Sequence, residues 1–462
     1  MNIQRIISNL PSTLDPDTLY IVYKGNTIDL VATDSVGNTL YKVDKLTSTQ
    51  LPNLLTDNIS KTLASKDKGI VIPIDFNPIS SGSISPDAYN VLNIIYGNST
   101  LPTITYVYPF SYLDNSYPDN TFLDFINKLK YSGAITCGYI DASEKTLNDI
   151  DTLISKWKSL YGIDAIYIDK VPTSIVSDAF NNLLFYHRLN GIKFIMLTLE
   201  EPNTQNLSFV DSYIDMHLFK GTSTDITINY PANKSAFIIT TSDNRIDLHS
   251  LFDVIVKTSF SYVYNNNTTN NLVYHVYLLN NYNNTSNQMS YYRTSNVMQN
   301  ISNIGYYISN SLSMNSSAFY FSPIQLVNSQ IINKVSFDVS STSTSPSPSL
   351  YVGVFSSLYN NIIPANLLLQ ANTNNIQSNI NNLTFSNSKF MHRGIPYFVG
   401  FKLTAGSVYL NRYISQLNIG RISSILLIGG YQSSDTLSAY TPPTSNSSFT
   451  LTEYNVLVYL GG

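Results

Sequence analysis

Four carboxylate positions stand directly behind short apolar runs of the chain: Asp75, Asp141, Asp169 and Glu200, the last followed by Glu201. Such a run reads as a buried strand, and an acid that follows it is carried to the strand's tip. Two carboxyl groups held roughly 5–10 Å apart can cleave a glycosidic bond, one donating a proton and the other serving as nucleophile or base. The expected pair is Asp169 with Asp141 or Glu200, and Asp75 is a further candidate. Lys170 follows Asp169, and strand alternation sends its side chain the other way unless the strand has already ended. An ammonium close to Asp169 would suit a nucleophile and disfavour a proton donor. The same acids also fit a plainer role, capping helices or forming salt bridges around a rim that does not catalyse.

Aromatic residues crowd one of these strand ends: Tyr106, Tyr108, Phe110, Tyr112 and Tyr117. Aromatic faces stack on sugar rings, so this stretch can form a saccharide platform, with Tyr108 the first choice and Tyr106 and Tyr139 beside it. Ordinary packing serves such tyrosines equally well in a chain with 35 of them. No Ser/His/Asp arrangement stands out, because His187, His217 and His249 fall in or near helical or strand interiors. Asp149 and Asp151 are two apart on a helix and so do not face each other. Cys137 is the only cysteine, which excludes an internal disulfide and a cysteine-based metal site. The five histidines show no ligand spacing. Neither a metal nor any other cofactor is expected.

Three regimes of pattern must position these residues. Within 1–60, alternating runs at 19–23, 27–33 and 39–43 are separated by Lys24-Gly25-Asn26 and Gly37-Asn38, which reads as a small antiparallel meander. A linker spans Thr47 to Lys68. From Gly69 apolar runs alternate with amphipathic helical segments: 70–75, 103–108, 135–141, 165–169, 194–199, 213–219, 236–241 and 259–264. The helical segments include 120–131, 146–161 and 176–189, and Thr146 is a plausible N-cap. Eight such runs over 66–266 predict a (β/α)8 TIM barrel, in which the strand tips share one mouth. An open doubly wound sheet is the rival, but the turn after the first run reads Asp75-Phe76-Asn77-Pro78 and lacks a glycine-rich phosphate loop. Past the polar stretch 265–271 the chain reads as all-β, with runs at 318–324, 332–339, 350–355, 397–403, 422–427 and 450–459. A β-sandwich of jelly-roll type is expected over 275–462; 286–313 reads as strands that cross between barrel and sandwich.

Composition bounds the partners. Of 462 residues 43% are hydrophobic, enough for well-filled cores, and only 12% are charged, against roughly 25% in an average soluble domain. That surface suits a rigid external protein or an oligomer, and it equally follows from an AT-rich genome. With a net charge of −4 and no basic stripe, nucleic acid is not an expected partner. No stretch reaches the ~20 apolar residues of a membrane span, so no membrane insertion is expected. The opening MNIQRIISNLP lacks the apolar core of a signal peptide. External character without an export signal fits a particle component made in a bacterial cytoplasm and released by lysis.

Three stretches resemble known families. LPSTLDPDTLYIVYKGNTIDLVATDSVGNTLYKV, residues 10–43, resembles a short module near the N-termini of phage tail-fibre and other virion proteins. That resemblance implies attachment to other virion proteins. ITCGYIDASEKTLNDIDTLISKWKSLYGIDAIYIDKVP is similar to the spherulation-specific family 4 domains and their glycoside-hydrolase-like TIM-barrel relatives. Gly138, Tyr139, Trp157, Tyr161, Gly162, Asp164 and Asp169 carry the match, and SAFIITTSDNRIDLHSLFDVIVKTSFSYVYNNN fits the family's closing strand, helix and strand. Where that family has an acid after Asp169 this chain has Lys170. Its Asn-Pro is Tyr108-Pro109 here, and its Gly-Pro-Gly is absent. NSSAFYFSPIQLVNSQIINKVSFDVSSTSTSPSPSLYVGVFSSLYNNIIPANLLLQ resembles a phage jelly-roll module, which implies a receptor-facing homotrimer. Together the resemblances imply a virion fibre or receptor-binding protein engaging host cell-surface polysaccharide. Two alternatives are an active polysaccharide depolymerase and a capsid or tail decoration protein without host contact.

Overall fold

The computed structural model describes residues 2–6, 13–47, 62–284, 292–299, 307–429 and 449–461, with short breaks inside these ranges. Four strands open the chain: β1 (Asn2–Ile6), β2 (Thr18–Lys24), β3 (Thr27–Thr33) and β4 (Thr39–Thr47). Strands β2, β3 and β4 make the expected antiparallel meander, and β1 joins its edge in parallel, with Ile3 opposite Leu19. Sequence reading misses β1 because its isoleucines, Ile3 and Ile6, are three apart rather than two. The linker expected from Thr47 to Lys68 falls largely outside the described residues.

Eight parallel strands then close into a barrel: β5 (Gly69–Ile74), β6 (Thr103–Val107), β7 (Ile135–Asp141), β8 (Ala165–Val171), β9 (Phe194–Leu199), β10 (Met216–Gly221), β11 (Ser235–Thr240) and β12 (Phe260–Tyr264). Strand β12 pairs with β5, so the sheet is a closed cylinder and the open doubly wound alternative is excluded. Its strands are buried on both faces, which is why they read as continuous apolar runs. Helices α1 (Pro86–Gly97), α2 (Asn120–Tyr131), α3 (Leu147–Tyr161), α4 (Asp178–Leu189), α5 (Thr204–Val210), α6 (Leu248–Ile255) and α7 (Thr268–Asn284) surround it. Between β10 and β11 the described residues hold only a single 3-10 turn, Ala232–Lys234.

Local chemistry sets the helix ends. Thr146 and Asp149 form a reciprocal capping box on α3, and Gly162, at φ 61°, ends it in the left-handed conformation. Helix α3 reaches the barrel wall through Trp157, whose indole N–H donates to the Tyr139 carbonyl at 3.1 Å. Gly138 makes room for that ring; a Cβ there would lie 2.5 Å from it. Helix α7 runs across the boundary expected at 265–271 and over position 275, where the sandwich was expected to begin. It packs on β12 and β5 and so completes the barrel.

The C-terminal part is a β-sandwich of antiparallel sheets. One sheet places Asn361–Thr373, Ser349–Leu358, Pro396–Ala405, Phe319–Gln325, Leu426–Gly429 and Phe449–Thr452 side by side. The other is built around Gln330–Thr342, which pairs with Asn379–Met391, Val408–Ile414 and Val458–Gly461. Strands at Tyr292–Thr294, Val297–Gln299 and Tyr307–Ser313 belong to this second sheet; the rest of 286–306 lies outside the described residues. A continuous apolar core joins barrel and sandwich. Polar contacts reinforce the junction: Ser356 and Asn366 both donate to the Asp247 carboxylate at the start of α6, and the Tyr359 N–H donates to the Ile246 carbonyl.

Candidate functional site at the barrel mouth

Alternation along the parallel strands sends Tyr106, Tyr139, Tyr167, Asp169, Thr198 and Lys220 toward the barrel axis, and their mutual contacts place them together near its C-terminal end. Asp169 is only 1% exposed and is saturated with donors. Its Oδ1 accepts from the Tyr167 hydroxyl at 2.7 Å and the Lys170 N–H at 3.0 Å. Its Oδ2 accepts from the Tyr139 hydroxyl at 2.9 Å and from Lys220 Nζ at 2.6 Å. Burial, reinforced by the Asp169 charge, pushes the Tyr139 and Tyr167 hydroxyls up, so both remain protonated donors.

Asp141 is the register partner of Asp169 on the neighbouring strand, so the two acids stand side by side at the tips of β7 and β8. Their cations differ. Lys170 adopts φ 51° at a register slip between Ile168 and Val171, and its Nζ lies 2.7 Å from Asp141. The cation on Asp169 is Lys220, from β10. Partial burial pushes Asp141 up, but hydrogen bonds from Lys170 and Ser143 outweigh it and hold the carboxyl below its usual range. Glu200 donates its backbone N–H to the Val171 carbonyl, but its side chain is exposed, outside the Asp169 network. Asp75 lies on the β5–β12 side, where it lines a cleft with Phe76, Asp87, Tyr262 and Tyr264, and burial together with the Asp75 charge pushes the Tyr264 hydroxyl up.

Tyr108 stacks on Tyr139 with centroids 3.9 Å apart and planes 12° apart. Tyr106 and Tyr139 are 4% and 5% exposed, so they form the support beneath Tyr108 rather than free faces. Tyr108 is half-buried, and Phe110 beside it is exposed. Tyr112 leaves the group, stacking on Phe122 and donating to Asn77. Tyr117 stands in solvent. A larger cavity lies at the opposite end of the barrel, lined by Thr62, Ser65, Pro102, Thr103 and Gly133. It lacks carboxylates, and that end of such barrels serves stability.

Sequence reasoning misses Lys220, Tyr167 and Thr198. The signal was available for two of them: period-two alternation from Met216 and Leu218 continues to Lys220, and Tyr167 is two residues from Asp169. Elsewhere, the histidines that show no spacing in the sequence are brought together in one case: His249, Asp253 and His392 converge where α6 meets the sandwich.

The mouth and its closed strand ring define the class: a (β/α)8-barrel protein with an appended β-sandwich. No protein-family model matches the chain, and no curated protein matches it. Among solved structures it is similar to Sph3 of Aspergillus clavatus, determined in complex with GalNAc, at 14% identity over 43% of this chain and 88% of that one, TM-score 0.34. It is also similar to the glycoside hydrolase family 30 subfamily 8 xylanase Xyn30A of Clostridium acetobutylicum, at 13% identity over 73% and 96%, TM-score 0.31. A third is the α-L-arabinofuranosidase of Thermotoga maritima, at 7% identity over 73% and 96%, TM-score 0.32.

Proposed function

We propose that the barrel mouth binds a saccharide without cleaving it, and that the chain is a phage virion fibre or receptor-binding protein engaging a host surface polysaccharide. The observation that carries the binding reading is the Tyr108 face, held at 3.9 Å on Tyr139 above a sealed Asp169. An acid with four donors on its two oxygens is a poor proton donor, and Asp141 is occupied by Lys170. Support for the virion setting comes from the two terminal sequence resemblances, which also suggest a homotrimer and attachment through residues 1–60. Hydrolysis is the second reading. It is favoured by the charges of Asp75 and Asp169, which both act on Tyr106 and Tyr108.

Purified full-length protein incubated with host capsule or cell-wall polysaccharide is expected to bind it and release no reducing ends. Reducing ends that vanish in Asp75→Asn or Asp169→Asn would establish the hydrolase instead. Absence of binding to every surface glycan of the host would remove both readings and leave a decoration protein.

A further inference from the structure

Helix α6 carries His249 and Asp253 one turn apart on a single face, and the sandwich brings His392 against them from just after the strand Asn379–Met391. His392 Nε2 lies 2.7 Å from one Asp253 oxygen, and His249 Nε2 lies 3.8 Å from the other. The candidate ligand atoms of all three residues fall within 4.8 Å of one another. Both imidazoles are almost fully buried, at 2% and 1% exposure, whereas the Asp253 side chain is 48% exposed. His249 Nε2 is buried without a hydrogen-bond partner although it faces the cluster. Leaving such an atom unpaired is costly, and an imidazole nitrogen is a good metal ligand.

Tyr397 organises the far side. Its oxygen accepts from the His392 backbone N–H at 2.9 Å and lies 3.2 Å from His249 Nδ1. An Nδ1–H donated to that oxygen leaves the Nε2 lone pair bare and fixes the ring, as outer partners do for metal-bound histidines.

We propose that His249, Asp253 and His392 bind a divalent transition metal, zinc foremost, that ties the barrel to the sandwich. Two nitrogens and one carboxylate match a three-ligand zinc site, with water completing the fourth position on the exposed Asp253 side. Calcium and magnesium prefer all-oxygen shells and are disfavoured. Tetrahedral bonds of about 2.0–2.1 Å put ligand atoms roughly 3.4 Å apart. The separations of 2.7 and 3.8 Å, each to a different Asp253 oxygen, straddle that value, and all the candidate atoms lie within 4.8 Å, so small side-chain shifts admit the ion.

The test uses the full chain stripped with EDTA and titrated with zinc chloride by calorimetry, with thermal melting in parallel. One zinc per chain is expected, with a melting temperature that rises with zinc and does not respond to magnesium. Asp253→Asn changes an exposed side chain; it should melt like the wild type without zinc and lose at least about tenfold in zinc affinity. His392→Asn should abolish the zinc response, and if it does not fold, Asp253→Asn carries the comparison. Cobalt(II) in the wild type should give an intense tetrahedral visible band that Asp253→Asn removes. Failure of the wild type to bind zinc, or zinc binding undiminished in Asp253→Asn, would overturn the site.

Discussion

Lys220 and Asp169 meet across β9: the ammonium of β10 lies 2.6 Å from the carboxylate of β8. The lysine is partly exposed, whereas the aspartate is sealed. The pair therefore acts as a plug at the mouth, solvated from above and hydrogen-bonded from below. Removing the cation strands a charge where water cannot reach it.

Lys220→Met is accordingly expected to destabilise the protein by about 3 kcal/mol, because breaking a buried pair leaves its partner uncompensated. Adding Asp169→Asn should recover most of that loss, since the amide needs no counter-charge. Urea denaturation of the single and double variants checks this. A neutral Lys220→Met would mean that the tyrosine hydroxyls hold Asp169 unaided.

Tyr108→Ala should weaken polysaccharide binding about tenfold while leaving the melting temperature nearly unchanged, because a half-buried stacking face is lost. Tyr112→Phe serves as the comparison. Its ring stacks on Phe122, away from the mouth, so binding should not change. Affinity electrophoresis in gels containing the polysaccharide measures both. Equal binding by Tyr108→Ala would move the saccharide site elsewhere.

These two predictions also show how much the sequence reveals. Buried parallel strands need apolar residues on both faces, so all eight barrel strands are legible, and Asp141 and Asp169 follow as strand-tip neighbours. The partner of Asp169 is harder to read. The sixth candidate run, 213–219, stops one residue short of Lys220 because a charged residue looks like a strand end. Lys170 misleads for a different reason: a non-glycine residue at φ 51° breaks the alternation that predicts its direction. His392 lies 139 residues from Asp253 and reaches it only through docking of the sandwich, which no local pattern encodes.

Gly138→Ala should cost about 1–3 kcal/mol by overpacking, because the added methyl group would sit 2.5 Å from the Trp157 ring. Trp157 is the chain's single tryptophan, so its fluorescence reports the displacement directly. A shifted emission maximum together with a lower urea midpoint is expected. An unshifted spectrum at full stability would mean that helix α3 moves aside freely.

Acid should weaken the fold before most carboxylates titrate. Burial pushes His217 and His275 down to about 3 from an ordinary value of 6.5. Below 6.5 the unfolded chain takes up protons that the native state refuses. Stability therefore falls as pH drops, and continues to fall until the native histidines titrate near 3. Each should contribute a slope of roughly 1.4 kcal/mol per pH unit inside that window. His275→Gln should flatten the dependence between pH 6.5 and 5. A slope identical to that of the wild type would show that His275 is already protonated in the native state.

Gly394 turns at φ 74° directly against helix α7, where a Cβ would lie 2.7 Å from the Tyr282 backbone, and Arg393 covers the Tyr282 ring at 4.7 Å. A turn between the two sheets seated that tightly on a barrel helix has no slack through which to pivot. The sandwich and the cylinder therefore behave as one stiff lever. A pull on the sandwich would reach the barrel as a change of aim rather than a loosening, so whatever holds one end of the molecule also fixes where the other end points.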